Sequence, residues 1–586
     1  MAEYLSPGVY VEEFDAGIKA MEGVGTSTAG FVGMAQKGPI QGLPVLITSM
    51  ADYQRRFGGY LPERLYGGLR FLPYAVEQFF NNGGSSCYVM RVCGDAESAK
   101  GVFAEADKQF LELNASNPGT WGNKLQAKLT AVPKNRTKAD GVTVSEEKLV
   151  QMTAEDAGSY QAGDVVCLQQ NVTVEKDDKK ETTVSLSYHS VNQVEGSAVS
   201  LQGSISIPET GEKEYFLYLV EWNVVVNDDT ATEQYEGLSL NPARSNYIEQ
   251  AMEKSQLVTV KVKDLENNGV GELLGTDKEP SIAVTFEGGT DGDIKTDQSE
   301  NAKLYIGDDG SSDQRTGLMA FKTLSDVSIM AIPGITDPAV QSALVSHCES
   351  MGNRFAILDM PADAKDVSTL QEFRENIDSN YAAMYHPWVQ CYDPLANRNV
   401  YLPPSGSMAG IYGRTDNTRG VHKAPANEVV RNCTGLSVKY NEVEQGKLNP
   451  KGINLIRQLP GQGIRVWGAR TCSSDGNWKY VNVRRLFIFI EESIKANTNW
   501  AVFEPNDEIL WSRVEGTIRV FLTTQWRNGA LAGSTADEAF FINIGKSTMT
   551  EDDILNGRLI CIIGVAPVRP AEFVIFRITQ KMESAQ

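Results

Sequence analysis

One short stretch of the sequence holds the three side-chain types of a serine hydrolase, in Ser405, Asp416 and His422. In such an enzyme the histidine takes the serine proton, and the carboxylate orients the histidine. The serine lies in PSGSMAG (404–410), which lacks the G-x-S-x-G pattern of an exposed nucleophile. We therefore predict a tight turn there and keep a hydrolase only as an alternative function.

Metal and cofactor chemistry has equally little support. The GKST at 545–548 would need a glycine at position 540 to form a phosphate loop, and that residue is Phe540. The eight cysteines include no CxxC pair and indicate reduced thiols in a cytoplasm. No two of the four histidines have metal-ligand spacing: His189, His347, His386 and His422. We predict no catalytic residue, no cofactor and no metal.

The composition indicates a large folded protein of several α/β domains. The chain has 586 residues, of which 41% are hydrophobic and 22% charged. Its longest apolar runs are too short to cross a membrane, and no signal-peptide pattern opens the chain. The net charge of −21 argues against a general nucleic-acid binder. Acidic residues concentrate in 100–315.

Parallel α/β units are predicted on both sides of that acidic region. The apolar segment AGFVGMA (29–35) is followed by a helix that starts near Pro73. Farther along, VSIMAIP (327–333) precedes Asp337-Pro338, a good helix start, and Gly352 is a good helix end. The next apolar segment, RFAILDMP (354–361), completes a strand–helix–strand unit.

The middle and the end of the chain have different patterns. Residues 100–315 contain strand-like segments between charged turns, which predicts a β-rich, solvent-facing insertion. After residue 430 an apolar helical stripe includes Leu486 and Ile490, and Arg484, Arg485 and Lys495 are predicted to lie away from it.

Each end of the chain contains a short run of strand-forming residues. SPGVYVEEF (6–14) follows a turn, and PAEFVIFRIT (570–579) alternates apolar residues close to the last residue. A terminal strand needs a sheet to join, because termini otherwise fray.

Many segments of this chain together resemble the contractile tail sheath family of bacteriophages, R-type pyocins and bacterial injection particles. They include SPGVYVEE, TSTAGFVGMAQKGP, NPGTWGNKL and GGTDG in the first 292 residues. Later segments are RFAILDMP, YHPWVQCYDP, VYLPPSGSMAGIYGRTDNTRGVHKAPAN, VWGARTCSSDGNWKYVNVRRLFIFIEESI, WAVFEPND and GVAPVRPAEFVIFRI. The stretch 126–285 carries none of these segments.

The resemblance implies an α/β sheath core with a β-rich outer insertion, a C-terminal inner domain and strand arms at both ends. The expected parts are an N-terminal arm (1–20), a discontinuous middle domain (21–99 and 316–430), an insertion of one or two subdomains (100–315), an inner domain (431–570) and a C-terminal arm (571–586). The arm residues expected to pair with neighbouring subunits are Val9, Val11, Phe14, Phe573, Val574, Ile575, Phe576 and Ile578.

The function implied is mechanical rather than enzymatic. Stacked hexameric rings of the chain would surround an inner tube and contract from a metastable extended state, with baseplate and terminator proteins at the ends. Arg484, Arg485 and Lys495 are the candidate tube contacts. Assembly is expected in a bacterial cytoplasm, without nucleic acid or membrane insertion. Two alternatives to this function stay open. The chain could be a particle-borne hydrolase, or the insertion could be a surface-docking module on a structural scaffold.

Overall fold

The computed structural model describes residues 21–105, 108–144, 148–176, 179–263 and 274–575. The predicted N-terminal arm and residues 576–586 of the C-terminal arm lie outside the described residues, and with them Val9, Val11, Phe14, Phe576 and Ile578. The mixed α/β, multidomain class predicted from the sequence is confirmed.

The elements follow one another in three segments. The first contains β1 (Ala29–Gly33), β2 (Val45–Ile47), α1 (Met50–Phe57), α2 (Glu63–Tyr66), α3 (Leu72–Asn81) and β3 (Cys87–Arg91). The second contains β4 (Lys100–Glu105), β5 (Lys108–Ala115), β6 (Gln126–Ala139), β7 (Gly141–Val144), β8 (Lys148–Gln151), α4 (Ala154–Ala157), β9 (Val165–Lys176), β10 (Lys179–Glu195), β11 (Ala198–Leu201), β12 (Glu212–Asn227), β13 (Thr232–Leu238), α5 (Ile248–Ala251), β14 (Val258–Val262) and β15 (Ser281–Thr285).

The third segment is the longest. It contains α6 (Ala302–Ile306), β16 (Ile329–Ala331), α7 (Pro338–Met351), β17 (Phe355–Asp359), α8 (Val367–Arg374), β18 (Ala382–His386), β19 (Val389–Asp393), β20 (Arg398–Leu402), α9 (Ser405–Arg419), β21 (Gly435–Leu436), α10 (Glu442–Leu448), β22 (Ile453–Leu459), β23 (Gly463–Val466), α11 (Val481–Thr498), α12 (Glu508–Arg527), α13 (Ala536–Ala539), β24 (Phe540–Ile544), α14 (Glu551–Leu555) and β25 (Cys561–Val565).

One eight-stranded sheet forms the body of the protein, in the order β2-β3-β1-β16-β17-β18-β22-β23. The six inner strands are parallel, and the two edge strands are antiparallel to their neighbours. The strands before and after the insertion therefore share one sheet. Asp337 caps α7 by accepting hydrogen bonds from the amides of Ala339 and Val340, and Gly352 ends that helix with φ +72°.

Apolar side chains pack on both faces of this sheet, as expected for buried parallel strands. Alternate residues of β1 point to opposite sides, so that Phe31 joins one hydrophobic cluster and Val32 the other. On the Phe31 side, α9 packs closely on α3. A Cβ at Gly406 would lie 2.4 Å from the Ala75 carbonyl oxygen, and one at Gly410 would lie 2.3 Å from that of Phe79. The tight turn predicted at 404–410 is therefore wrong: its small residues begin a buried helix and allow this close approach.

The acidic insertion is built almost entirely from strands. Nine of them form one sheet in which β12 lies between β6 and β9, and β14, β5 and β4 form a second sheet. Two separate hydrophobic clusters fill the insertion, one around Trp222 and a smaller one around Leu168. The chain enters and leaves through adjacent backbone segments, because Lys100 and Glu287 exchange hydrogen bonds of 2.8 and 3.0 Å.

The C-terminal domain starts later than the sequence indicated. We placed its first residue at 431, but β22 pairs with β18, and β23 then pairs with β22 as the last strand of the body sheet. The two strands are close together in sequence, whereas β18, the body strand that pairs with β22, lies far back in the chain. The separate C-terminal core is formed mainly by α11, α12, β24 and β25.

We predict that a fragment of residues 97–290 folds alone, because its clusters share no residue with those of the body and its ends are adjacent. Thermal unfolding followed by circular dichroism should be cooperative. A control fragment of 126–285 lacks β4 and β5, which supply Phe103, Phe110 and Leu111 to the larger cluster, and should not unfold cooperatively. Gradual melting of both fragments would contradict the prediction.

Candidate assembly site

Helix α11 lies between the body and the C-terminal domain and packs into both. Val481 and Ile488 belong to the body cluster that contains Phe31, whereas Leu486 and Ile490 belong to the C-terminal cluster. The helix therefore has apolar contacts on two sides, and its first half is almost completely buried. We call α11 the linking helix.

Arg485 of the linking helix forms a buried ion pair with Asp416 of α9. Its Nη2 lies 2.6 Å from Asp416 Oδ2, and only 4% and 3% of the two side chains are exposed. The same Nη2 donates to the Thr26 carbonyl oxygen at 2.8 Å, and the Thr26 hydroxyl donates to Asp416 at 2.6 Å. The guanidinium carbon also lies 4.7 Å from the centre of the Tyr412 ring. Buried charges need such complete pairing.

Arg484 is buried by a different set of contacts. Its guanidinium carbon lies 4.6 Å from the centre of the Trp478 ring and 4.7 Å from that of Tyr381, and its Nη2 donates to Glu491 at 2.8 Å. Arg484 and Arg485 were predicted to lie away from the apolar stripe as candidate tube contacts, and both are buried because the helix they occupy is enclosed on both sides. Their contact with a tube stays a prediction. In this chain their charges are already paired. Lys495, 71% exposed beside Glu492, remains a predicted tube contact.

The segment that leads in from the N-terminal arm lies along the linking helix. The Val24 amide donates to the Ser493 hydroxyl at 3.1 Å, and the Asn497 side chain donates to the Glu22 carbonyl oxygen at 2.9 Å. At Gly23 a Cβ would lie 2.7 Å from the Phe489 ring, so the segment approaches the helix closely. Residues 22–26 are thus held at several points.

The C-terminal sheet has only two strands, β24 and β25, paired antiparallel from Phe540–Val565 to Ile544–Cys561. Phe540 and Ile542 point into the C-terminal core, while Phe541 and Ile562 on the other face are 52% and 50% exposed. Within the described part of the chain, neither strand has a second strand partner. The backbone groups of both outer edges are therefore available to another strand.

The chain then leaves this sheet and returns toward the body. The Ala532 amide donates to the Ala566 carbonyl oxygen at 2.8 Å, and the Val568 amide donates to that of Ala530 at 3.2 Å. Glu572 contacts the body side, and the predicted arm residues follow it with large exposed fractions: Phe573 (72%), Val574 (69%) and Ile575 (79%). In this single chain, residues 573–575 belong to no strand.

The hydrolase alternative fails on geometry. The Ser405 side chain is fully buried, and its hydroxyl donates to Asp359 Oδ2 at 2.6 Å. Ser405 and Asp416 stand at opposite ends of α9, about 16 Å apart along a straight helix axis. The Asp416 carboxylate is occupied by Arg485, and His422 lies beyond the helix end. The three residues therefore cannot act together.

Other chemistry is also unsupported by the arrangement of side chains. Among the described residues, no three His, Cys, Asp or Glu side chains are grouped as metal ligands. All eight cysteines are free. Within the same residues, no helix has the length and apolar character of a membrane span.

Two family models match adjoining parts of this chain. The phage tail sheath protein central domain matches residues 312–472, and the phage tail sheath C-terminal domain matches 473–581. Their junction falls between β23 and the linking helix, where the body sheet ends. The chain belongs to the tail sheath protein family. It is a structural protein and not an enzyme.

Individual sheath proteins from prophages and phages are similar to this one. A prophage major tail sheath protein of Pseudomonas aeruginosa strain UCBPP-PA14 is 26% identical over 289 residues, which cover 47% of this chain and 72% of that protein. The tail sheath protein of Escherichia phage P2 is 26% identical over 240 residues, covering 39% of this chain and 59% of the phage protein.

Solved sheath structures share the fold over nearly the whole chain. The sheath complex of an extracellular contractile injection system, PVC, in its contracted state has a TM-score of 0.52 at 21% identity and covers 100% of this chain and 99% of its own. The contracted helical sheath of the anti-feeding prophage has a TM-score of 0.50 at 22% identity and covers 99% of this chain and 100% of its own.

Glu572 was not selected from the sequence, although it lies inside the predicted arm, because a single carboxylate between Pro570 and the apolar run 573–576 forms no pattern. Asp416 was considered, but as part of a hydrolase rather than as the partner of Arg485.

We predict that Arg485→Ala lowers the free energy of unfolding of the monomeric sheath chain by about 3–5 kcal/mol, because Asp416 is left charged and buried. Urea unfolding measures this loss. Lys495→Ala on the same helix removes an exposed ion pair and should change the free energy by less than about 1 kcal/mol. Equal effects of the two substitutions would contradict the prediction.

A second prediction concerns Asp359, whose pKa is raised from 3.8 to about 6 by burial, although Gly334 and Ser405 donate hydrogen bonds to it. The native state holds this proton to higher pH than the unfolded state, so stability falls as pH rises from about 4 to 6. Asp359→Asn removes this titration. Relative to the wild type, the variant's free energy of unfolding should rise by about 2 kcal/mol between pH 4 and 7.

Urea unfolding of both proteins across this pH range tests the Asp359 prediction. Ser405→Ala removes a donor to the charged form, so its loss of stability should continue to higher pH than in the wild type. A difference between Asp359→Asn and the wild type that stays constant with pH would contradict the assignment.

Proposed function

We propose that this sheath protein forms stacked hexameric rings around an inner tube and contracts from a metastable extended state, which drives the tube through a target envelope. Its membership of the sheath family supports a structural subunit of a contractile tail or injection particle. The contracted state of the PVC and anti-feeding prophage sheaths supports the contraction step, because those chains share this fold.

The observation that carries the proposal is the two-stranded C-terminal sheet, neither edge of which is paired with another strand of the described chain. An open sheet edge binds an extended segment by backbone hydrogen bonds, and the alternating side chains set its register. The exposed residues Phe573, Val574 and Ile575 provide such a segment, and the sequence of residues 6–14 provides another. We propose that both arms pair with C-terminal sheets of neighbouring subunits.

Strand pairing stabilises each contact weakly, and many such contacts together can hold a lattice whose subunits change position. Each backbone hydrogen bond contributes only about 0.5–1.5 kcal/mol net. A five-residue arm therefore holds one neighbour by several kcal/mol, and many arms together hold the whole sheath. Subunits can then rotate as rigid units while their arms stay paired.

The remaining partners follow from the same proposal. One structure that shares this fold is named as a baseplate of the anti-feeding prophage, which supports baseplate contact for the sheath. An inner tube and a terminator protein are further proposed partners. Lys495 is the proposed tube contact whose charge is exposed. Assembly in a bacterial cytoplasm is proposed from the unpaired cysteines.

We predict that a chain ending at Glu572 folds but does not polymerise, because it lacks the arm residues that pair with a neighbouring sheet. Sedimentation and negative-stain microscopy of the expressed protein measure sheath formation. A matched chain ending at Thr579 keeps the alternating segment and should form sheaths. Full-length sheaths assembled from the chain ending at Glu572 would refute the role of the arm.

A further inference from the structure

Four donors surround the carboxylate of Glu572, directly before the exposed arm. Arg470 donates twice, from Nε to Oε1 at 2.8 Å and from Nη2 to Oε2 at 2.6 Å. The Asn449 side chain donates to Oε1 at 2.6 Å, and the Tyr480 hydroxyl donates to Oε2 at 3.0 Å. Lys479 adds a positive charge 3.6 Å away. Every oxygen of the carboxylate is therefore fixed in place.

This contact is well shielded from water and rigidly supported. Only 9% of the Arg470 side chain and 19% of the Glu572 side chain are exposed. Burial raises the pKa of Glu572, but hydrogen bonds from Arg470 and Asn449 outweigh it and lower the pKa to about 2. The Arg470 backbone is itself held by Asn454, whose side chain accepts from the Arg470 amide and donates to its carbonyl oxygen, both at 2.7 Å.

Glu572 lies between a segment bonded to the C-terminal domain and the exposed arm residues 573–575. Residues 566 and 568 are hydrogen-bonded within the C-terminal domain. Glu572 then binds Asn449 and Arg470 of the body, and Tyr480 at the start of the linking helix. The exposed arm residues 573–575 follow immediately. Within the described chain, Glu572 is therefore the last residue held by such contacts before them.

We propose that Glu572 anchors the C-terminal arm to the body, so that tension on the arm passes to Arg470 and the linking helix instead of to β25. The proposal rests on the proposed function of the arm. Tension applied directly to the chain after β25 would load the hydrogen bonds of residues 566 and 568 one after another. The anchor protects the sheet that must at the same time hold the arms of neighbours.

The anchor is tested in the full-length chain, assembled with its particle, by Glu572→Gln, which keeps the shape but removes the charge. Sheaths are counted by negative-stain microscopy before and after contraction in dilute urea. We expect assembly as in the wild type and about a tenfold larger fraction of broken sheaths after contraction, the factor that a charge-assisted hydrogen bond supplies. Glu375→Gln removes an exposed ion pair with Lys451 and should behave as the wild type.

A double-mutant cycle separates the anchor from general destabilisation. Arg470→Gln should break sheaths to the same extent as Glu572→Gln, and the double variant should be no worse than either, because the residues act as one pair. Glu572→Gln sheaths that contract as intact as the wild type would overturn the anchor, and so would a variant chain that unfolds in solution. Polymerisation of the chain ending at Glu572 would instead overturn the proposed function of the arm.

Discussion

The buried ion pair between Arg485 and Asp416 is the constraint on which the arrangement of this sheath subunit depends. Two charges with 4% and 3% exposed side chains are tolerated only when each is fully hydrogen-bonded. The pair meets this requirement by including the hydroxyl and the carbonyl group of Thr26. Three parts of the chain must therefore meet at one point: α9 of the body, the linking helix and the segment leading in from the N-terminal arm.

This meeting point has a mechanical consequence. The linking helix also packs into two hydrophobic cores, so the body and the C-terminal domain cannot move apart without exposing both. Glu22 and Val24 contact the linking helix at Asn497 and Ser493, and Glu572 contacts Tyr480 at its start. Under the proposed function, forces from neighbours on both arms reach one helix. A subunit built in this way moves as one piece while its arms hold the lattice.

The sequence predicted what depends on local patterns and missed what depends on distant partners. Asp337, Pro338 and Gly352 fix both ends of α7 by capping chemistry that lies within a few residues. Arg485 could not be interpreted in the same way, because its partners lie 69 and 459 residues away along the chain. An apolar stripe on one side of a helix indicates a helix at the surface. The same stripe does not show whether a second core covers the other side of the helix.

The domain boundary failed for a related reason. The sequences of β22 and β23 do not say which strand they pair with, and only the topology assigns them to the body sheet. The insertion was predicted from a polar, turn-rich pattern, but the predicted end at residue 315 is too late, because the last strand of the insertion is β15 (Ser281–Thr285) and Tyr305 packs in a body cluster. Glu572 represents the hardest class of residue: a single carboxylate in an apolar arm has no pattern at all, and only the fold brings Arg470, Asn449 and Tyr480 around it.

Among the described residues, neither outer edge of the C-terminal sheet is paired with another strand, and such edges would be a hazard in an ordinary soluble protein because unpaired strands promote aggregation. Here the exposed strands are short, with five residues each, and their inner faces are fixed on the C-terminal core. A short edge can form only a few hydrogen bonds with any one strand. An incorrect strand is therefore bound weakly and dissociates. Under the proposed function, the correct arm gains the additional register set by alternating side chains. Specificity in the proposed lattice then comes from many weak contacts that must all fit at once.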